Sequence, residues 1–130
     1  MIEDTTSIVD LLRGDEDALA FLDIAEAENR PEKVASVTVL ELYEGLAQSS
    51  ASEARRQRVL GVLDTKHVVD ADGTVMRRAG KLSGELIADG ERIDREDCVV
   101  AATALLADEP VVTRNVEHFE RIDGLDVRTY

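Results

Sequence analysis

The sequence predicts an α/β protein, a three-layer α/β/α sandwich built on a mainly parallel sheet of about five strands. Short apolar runs alternate with longer stretches of helical periodicity along the whole chain. Each strand candidate is separated from the next by helix, so successive strands must cross over the sheet and pair in parallel. Hydrophobic residues make up 44% of the chain but aromatic ones only 3%, which gives the aliphatic core that suits helices packed on a sheet. The 130 residues fit one layered core, so a single domain over residues 1–130 is expected.

Met1 to Glu3 reads as a short strand. Ile8, Leu11 and Leu12 then open a helical face that Gly14 ends, and Asp15 starts a second helix with Leu19, Leu22 and Ala25 on one side, stopping before Pro31. Lys33 to Val37 has strand character. Leu40, Tyr43 and Ala47 recur at helical spacing, the polar run Gln48 to Ser52 makes a turn, and Ala54 to Leu63 repeats the helical pattern. His67 to Val69 is a short strand. Val75, Ala79, Leu82 and Leu86 mark a long amphipathic helix ending near Gly90, and a further helix from about Arg95 to Ala107 turns Cys98, Ala101, Ala102 and Leu105 inward. Pro110 to Thr113 is a strand, Val116 to Glu120 a helical turn at most, and Val127 to Thr129 a last strand. Glu3 is out of place in an apolar strand, and an exposed strand edge would account for it.

Twenty-eight acidic residues against 15 basic ones give a formal net charge of −13. Such a surface does not hold nucleic acid by its own bases alone; a metal ion, a basic partner or high salt would have to supply positive charge. Only three of the bases are lysines, a composition expected of a salt-adapted cytoplasm. Cys98 is the only cysteine, which excludes an intrachain disulfide and a thiolate metal cluster. The N-terminus carries Glu3 and Asp4 where a signal peptide would be basic and then apolar, and no run approaches 18 apolar residues. The expectation is a soluble cytoplasmic protein with no membrane association.

Sites in parallel α/β sheets lie at the carboxyl ends of strands, around the point where the chain reverses its direction of strand addition. Four polar residues fall there. Asp4 directly follows the first strand, Glu41 follows the second, Asp97 heads the helix leading into the next strand, and Asn115 follows that strand. Each acid taken alone has a purely structural explanation. Asp4 is placed to cap a helix, Thr38 to Glu41 matches a capping box, and Asp94 to Asp97 puts two acceptors at a helix start. Taken together they would crowd carboxylates on one rim of the sheet, which a divalent cation would neutralise. Oxygen ligands without His or Cys favour Mg²⁺ or Mn²⁺ over zinc, and such ions serve phosphodiester hydrolysis.

These residues carry a resemblance. Asp4-Thr-Thr-Ser-Ile-Val-Asp-Leu-Leu-Arg-Gly14 resembles the opening of PIN-domain toxins of the VapC type. Ser36-Val-Thr-Val-Leu-Glu-Leu-Tyr-Glu-Gly45 is similar to their second acidic motif, and Ile93-Asp-Arg-Glu-Asp-Cys-Val-Val-Ala-Ala-Thr-Ala-Leu105 to their third. Val112-Thr-Arg-Asn-Val-Glu-His-Phe119 resembles the fourth. Four motifs in order, spanning nearly the whole chain, are far more specific than any one.

The resemblance implies a metal-dependent endoribonuclease with Asp4, Glu41 and Asp97 on the metal. It also implies the toxin half of a toxin–antitoxin pair, often a homodimer, inhibited by a cognate antitoxin protein. Many PIN domains have a fourth acid where this chain has Asn115. An asparagine can coordinate through its carbonyl or hold a metal-bound water but adds no charge, so one metal or two stays open. The alternative is a catalytically silent PIN-like RNA-binding or scaffold protein, for which Asn115 and the acidic surface argue.

Among neighbouring residues, Glu44 reads as solvent-exposed, Asp94 as a helix cap, Asp10 as a partner for Arg13 or a neighbour of the site, and Thr113 as a loop hydroxyl able to orient a carboxylate. His118 and His67 have no partner evident in the sequence. Arg13, Arg77, Arg78 and Arg114 are candidates for phosphate contact, guanidinium forks being suited to phosphate oxygens. Most arginines of so acidic a chain are expected to pair with surface carboxylates.

Overall fold

The computed structural model describes residues 1–130. Its elements run β1 (Ile2–Glu3), α1 (Thr5–Arg13), α2 (Glu16–Ala27), β2 (Lys33–Ala35), α3 (Ser36–Gln48), α4 (Glu53–Asp64), β3 (His67–Val69), α5 (Gly73–Ala88), α6 (Arg95–Ala107), β4 (Val111–Val112), α7 (Val116–Glu120) and β5 (Val127–Arg128). The five strands form one sheet in the order β3-β2-β1-β4-β5, and all four pairings are parallel. β1 is central. The chain adds β2 and β3 on one side of it, then returns to add β4 and β5 on the other, so the reversal point lies between β1 and β4.

The period-two alternation of strand side chains sorts the core onto two faces. Ile2, Ala35 and Val111 point to one, where they pack with Val75, Ala79 and Leu86 of α5, the buried run Cys98 to Ala102 of α6, and Phe119. Val34 points to the other, packing with Ile8, Leu42, Leu46 and Val59 of α1, α3 and α4. Met1 and Val112 meet Ala25, Phe21 and Leu22 of α2. Helices thus cover both faces, the three layers the sequence predicts. α6 is almost wholly apolar beyond its first turn because it lies between the sheet and α5; its residues 98–104 are all buried, Thr103 donating its hydroxyl to the Val99 carbonyl at 2.7 Å.

Two local readings change. β2 ends at Ala35 rather than Val37, and Ser36 opens α3 directly. There the Ser36 hydroxyl accepts the Ala71 N–H at 3.0 Å and Val37 packs into the core, so tertiary contact overrides the strand preference of a β-branched residue. Glu3 is on no exposed edge: it sits in the central strand, 2% exposed, with Lys66 Nζ 3.0 Å from its Oε2. Lys66 also pairs with Glu32. Burial pushes the Glu3 carboxyl up, and Lys66 offsets part of the rise. Gly14 closes α1 as expected, with a φ of 76° that strains any residue carrying a Cβ.

Candidate active site

Asp4 leaves β1 at the reversal point, its N–H held by the Val112 carbonyl of β4 at 2.9 Å. It occupies the N-cap position of α1 yet its side chain makes no capping bond. Its Oδ2 instead accepts the Thr6 hydroxyl at 3.0 Å and the Thr113 hydroxyl at 2.9 Å. Each threonine is fixed in turn. Thr113 Oγ1 accepts the Asn115 N–H at 2.9 Å and Thr6 Oγ1 accepts the Arg114 N–H at 3.1 Å. Asp4 is buried, and these bonds hold one oxygen while the other stays available.

The helix-capping explanations fail for the other two acids as well. α3 begins at Ser36, so Thr38 is inside the helix and no capping box forms. Glu41 turns to α1, where its Oε1 accepts the Thr5 hydroxyl at 2.8 Å. Asp94 is the N-cap of α6 but makes no side-chain cap bond. Asp97, in the first turn of α6, lies with Oδ2 3.0 Å from His118 Nδ1. Asn115 places its side-chain amide 2.8 Å from the same Nδ1. An ionised carboxylate has no hydrogen to give, so the imidazole Nδ1–H is the donor to Asp97, and the Asn115 amide can bond the same N–H only through its carbonyl oxygen.

Asp4, Glu41, Asp97 and Asn115 line one cleft of about 250 Å³ together with Thr5, Thr6, Asp94, Arg13 and Arg114. Burial raises the Glu41 carboxyl above the ordinary glutamate range; the Thr5 bond opposes the rise and the charges of Asp4, Asp97 and Glu96 add to it. Burial likewise raises Asp97, opposed by the His118 bond and reinforced by Asp4 and Asp94. The three acids therefore sense one another. Hard oxygen donors with unused lone pairs and mutual repulsion fit a divalent cation of the Mg²⁺ or Mn²⁺ type. No three acidic or histidine side chains close into a finished cage. An ion held here would keep part of its water shell, as Mg²⁺ does in sites of one or two carboxylates.

Other candidates fall differently. Asp10 pairs not with Arg13 but with Arg114, at 2.9 Å, and accepts the Tyr130 hydroxyl at 2.6 Å. Burial and the Asp10 bond both push the Tyr130 hydroxyl up and keep it a donor. Glu44 and His67 are exposed and outside the cleft. His118 has the partners its sequence context does not reveal. Thr5 and Thr6 escape sequence reading altogether; the signal available was two hydroxyl residues immediately after a strand-end aspartate.

Residues 1–125 match the family model of the PIN domain, and the chain belongs to the PIN-domain family. It is 34% identical over 126 residues to Ribonuclease VapC19 of Mycobacterium tuberculosis, a match covering 94% of each chain. It is 30% identical over 97 residues to the tRNA(fMet)-specific endonuclease VapC of Salmonella typhimurium, covering 75% of this chain and 74% of that one. Its fold is similar to that of DNA-bound VapBC from Salmonella typhimurium, with a TM-score of 0.88 and 25% identity over 98% of this chain and 96% of the other.

Proposed function

We propose that this chain, one PIN domain over residues 1–130, is a cytoplasmic metal-dependent endoribonuclease and the toxin of a VapBC-type toxin–antitoxin pair. The carrying observation is the fixed carboxylate of Asp4 at the sheet's reversal point, with Glu41 and Asp97 lining the same cleft. Kinship to ribonucleases and to the toxin partner of VapBC supports the same reading. No helix is long and apolar enough to cross a membrane.

In this reading Asp4, Glu41 and Asp97 hold Mg²⁺ or Mn²⁺, which when bound supplies charge neutralisation at the phosphate and lowers the pKa of water. Thr6 and Thr113 fix Asp4, Thr5 fixes Glu41, and His118 fixes Asp97, so the ligand oxygens need little reorganisation when charge develops. Asn115 adds no charge but has an amide at the cleft wall to place the attacking water. Hydrolysis joins the water oxygen to phosphorus, breaks the bond from phosphorus to the ribose oxygen, and balances when the proton lost by the water is taken up by that departing oxygen. The cognate antitoxin is a protein that blocks this cleft, and the active species is a homodimer.

Purified protein should cleave RNA, with transfer RNA among the substrates offered, when Mg²⁺ or Mn²⁺ is present and not in a chelator. Inactivity with every divalent ion and RNA offered, alongside retained RNA binding, would establish the silent binding module instead.

A further inference from the structure

A second cavity, of about 530 Å³, adjoins the acidic cleft and shares Thr5, Val9, Arg13 and Glu41 with it. Its floor is aliphatic, with Leu42, Leu46 and Val59 among the lining, and its rim carries three guanidinium groups: Arg13 at the end of α1, and Arg55 and Arg58 on α4. Arg55 and Arg58 stand three apart on a helix and so share a face. The arginines of this chain that form ion pairs are Arg30, Arg114, Arg121 and Arg128. Arg13, Arg55 and Arg58 pair with no carboxylate and are exposed.

Eight of the twelve arginines form no ion pair, and three of those eight gather around this one cavity in a chain of net charge −13. Leaving them unpaired forgoes the local neutralisation that abundant acids offer, and it keeps their bidentate donors free for an anion. No aromatic residue lines the cavity, so bases have nothing to stack on and recognition falls to the backbone. Arg13 borders both spaces, so an anionic chain seated on Arg55 and Arg58 leads directly to Asp4, Glu41 and Asp97.

We infer that Arg13, Arg55 and Arg58 form a phosphate-binding track that seats the RNA strand beside the acidic cleft, largely without regard to sequence. This inference rests on the ribonuclease reading above. It also answers how so acidic a protein holds RNA: the positive charge is local rather than global, and at physiological salt screening confines each charge's reach to about 8 Å.

The test uses the full chain carrying Asp4→Asn, so that the probe survives, and a fluorescent oligouridylate of about 15 nucleotides titrated at several salt concentrations. Adding Arg55→Gln and Arg58→Gln, which keep helix propensity, should weaken binding at least about tenfold at low salt. It should also flatten the log–log salt slope by about 1.4, the counterion release of two phosphates on a single strand. Arg77 and Arg78 of α5, also candidates from the sequence, line neither space, so Arg77→Gln with Arg78→Gln should leave both within about twofold of the parent.

Unchanged affinity and slope in the α4 variant would overturn the track, as would an equal loss in the α5 variant. Tighter binding of a polyglutamate peptide than of the oligouridylate, lost in the α4 variant, would also overturn it and assign the cavity to an acidic protein segment. Cleavage is read separately on the native chain. Absent cleavage with arginine-dependent binding sinks the catalytic reading alone, and metal-dependent cleavage with arginine-independent binding sinks the track alone.

Discussion

His118 Nδ1 stands 3.0 Å from Asp97 Oδ2, and the Asn115 amide stands 2.8 Å from the same nitrogen. His118 thereby braces the third acid of the cleft, and if Asp97 holds a metal this is the support that orients its carboxylate. His118→Ala should weaken Mn²⁺ binding by about 10- to 100-fold, the usual effect of removing such a support. Titration calorimetry measures it, and cleavage at saturating Mn²⁺ should recover most of the native rate. Unchanged metal affinity would reduce the contact to a surface bond.

Asp4→Asn retains the size and acceptor of the side chain, and the two threonine hydroxyls can adapt to an amide. Cleavage of RNA should fall by at least about 10²-fold, the scale of losing a preorganised electrostatic contact in a transition state. The melting temperature should hold. Full, metal-independent cleavage by this variant would remove Asp4 from the mechanism.

Thr113→Val tests the scaffold under Asp4. Thr113 is fully buried, donates to Asp4 and accepts the Asn115 N–H. Valine leaves that N–H without its partner and Asp4 Oδ2 with the Thr6 hydroxyl alone, a cost of about 1–3 kcal/mol. Chemical denaturation should register it together with weaker metal binding. Serine at this position should restore both, and a variant as impaired as valine would place the defect in packing rather than in the hydroxyl.

The same residues show what a sequence can disclose. Element order, parallel pairing and the α6 boundaries follow from periodicity and crossover geometry, and Asp4 follows from its position after β1; Glu41 and Asp97 lie on α3 and α6, and the four ordered motifs single them out. The capping patterns around them were ambiguous because a cap and a site demand the same residue types at the same spacing; only the observed direction of each carboxylate separates them. Contacts spanning long stretches of chain, such as Thr113 with Asp4 or Arg114 with Asp10, leave no local trace. Glu3 misled for that reason, its partner Lys66 lying on the loop before β3.

Glu41 and Asp97 hold their protons to higher pH in the folded chain than their ordinary values, burial being the first cause for both. A folded-state pKa above the unfolded one means the native state binds more protons in the interval between them. Stability contributed by these groups is therefore present at low pH and lost as pH rises from about 4 through the raised values. Above the raised values the metal-free chain bears that cost in full. Glu41→Gln should raise the melting temperature of metal-free protein at pH 7 and leave it unchanged near pH 3. Mn²⁺ should stabilise the native chain at pH 7, by about 2.7 kcal/mol at a hundredfold excess over Kd, and stabilise the variant less. A variant less stable than native protein at pH 7 would contradict the assigned cost of burying these charges together.

Lys66 and Glu3 are the ion pair on which β1 depends. Their side chains are 1% and 2% exposed, and Lys66 is shared with Glu32. Removing one partner of such a pair leaves an uncompensated charge, a loss of about 3–5 kcal/mol. Lys66→Met should destabilise the chain on that scale at pH 7, and less at lower pH, where Glu3 takes up a proton. The double variant Glu3→Gln with Lys66→Met removes both charges and should recover much of the loss, since neutral groups bear no charge-desolvation penalty. Because Asp4 directly follows Glu3, the single variant should also bind Mn²⁺ more weakly and the double variant should regain affinity. If the two variants melt alike, the lysine's contribution lies in its aliphatic packing and not in its charge.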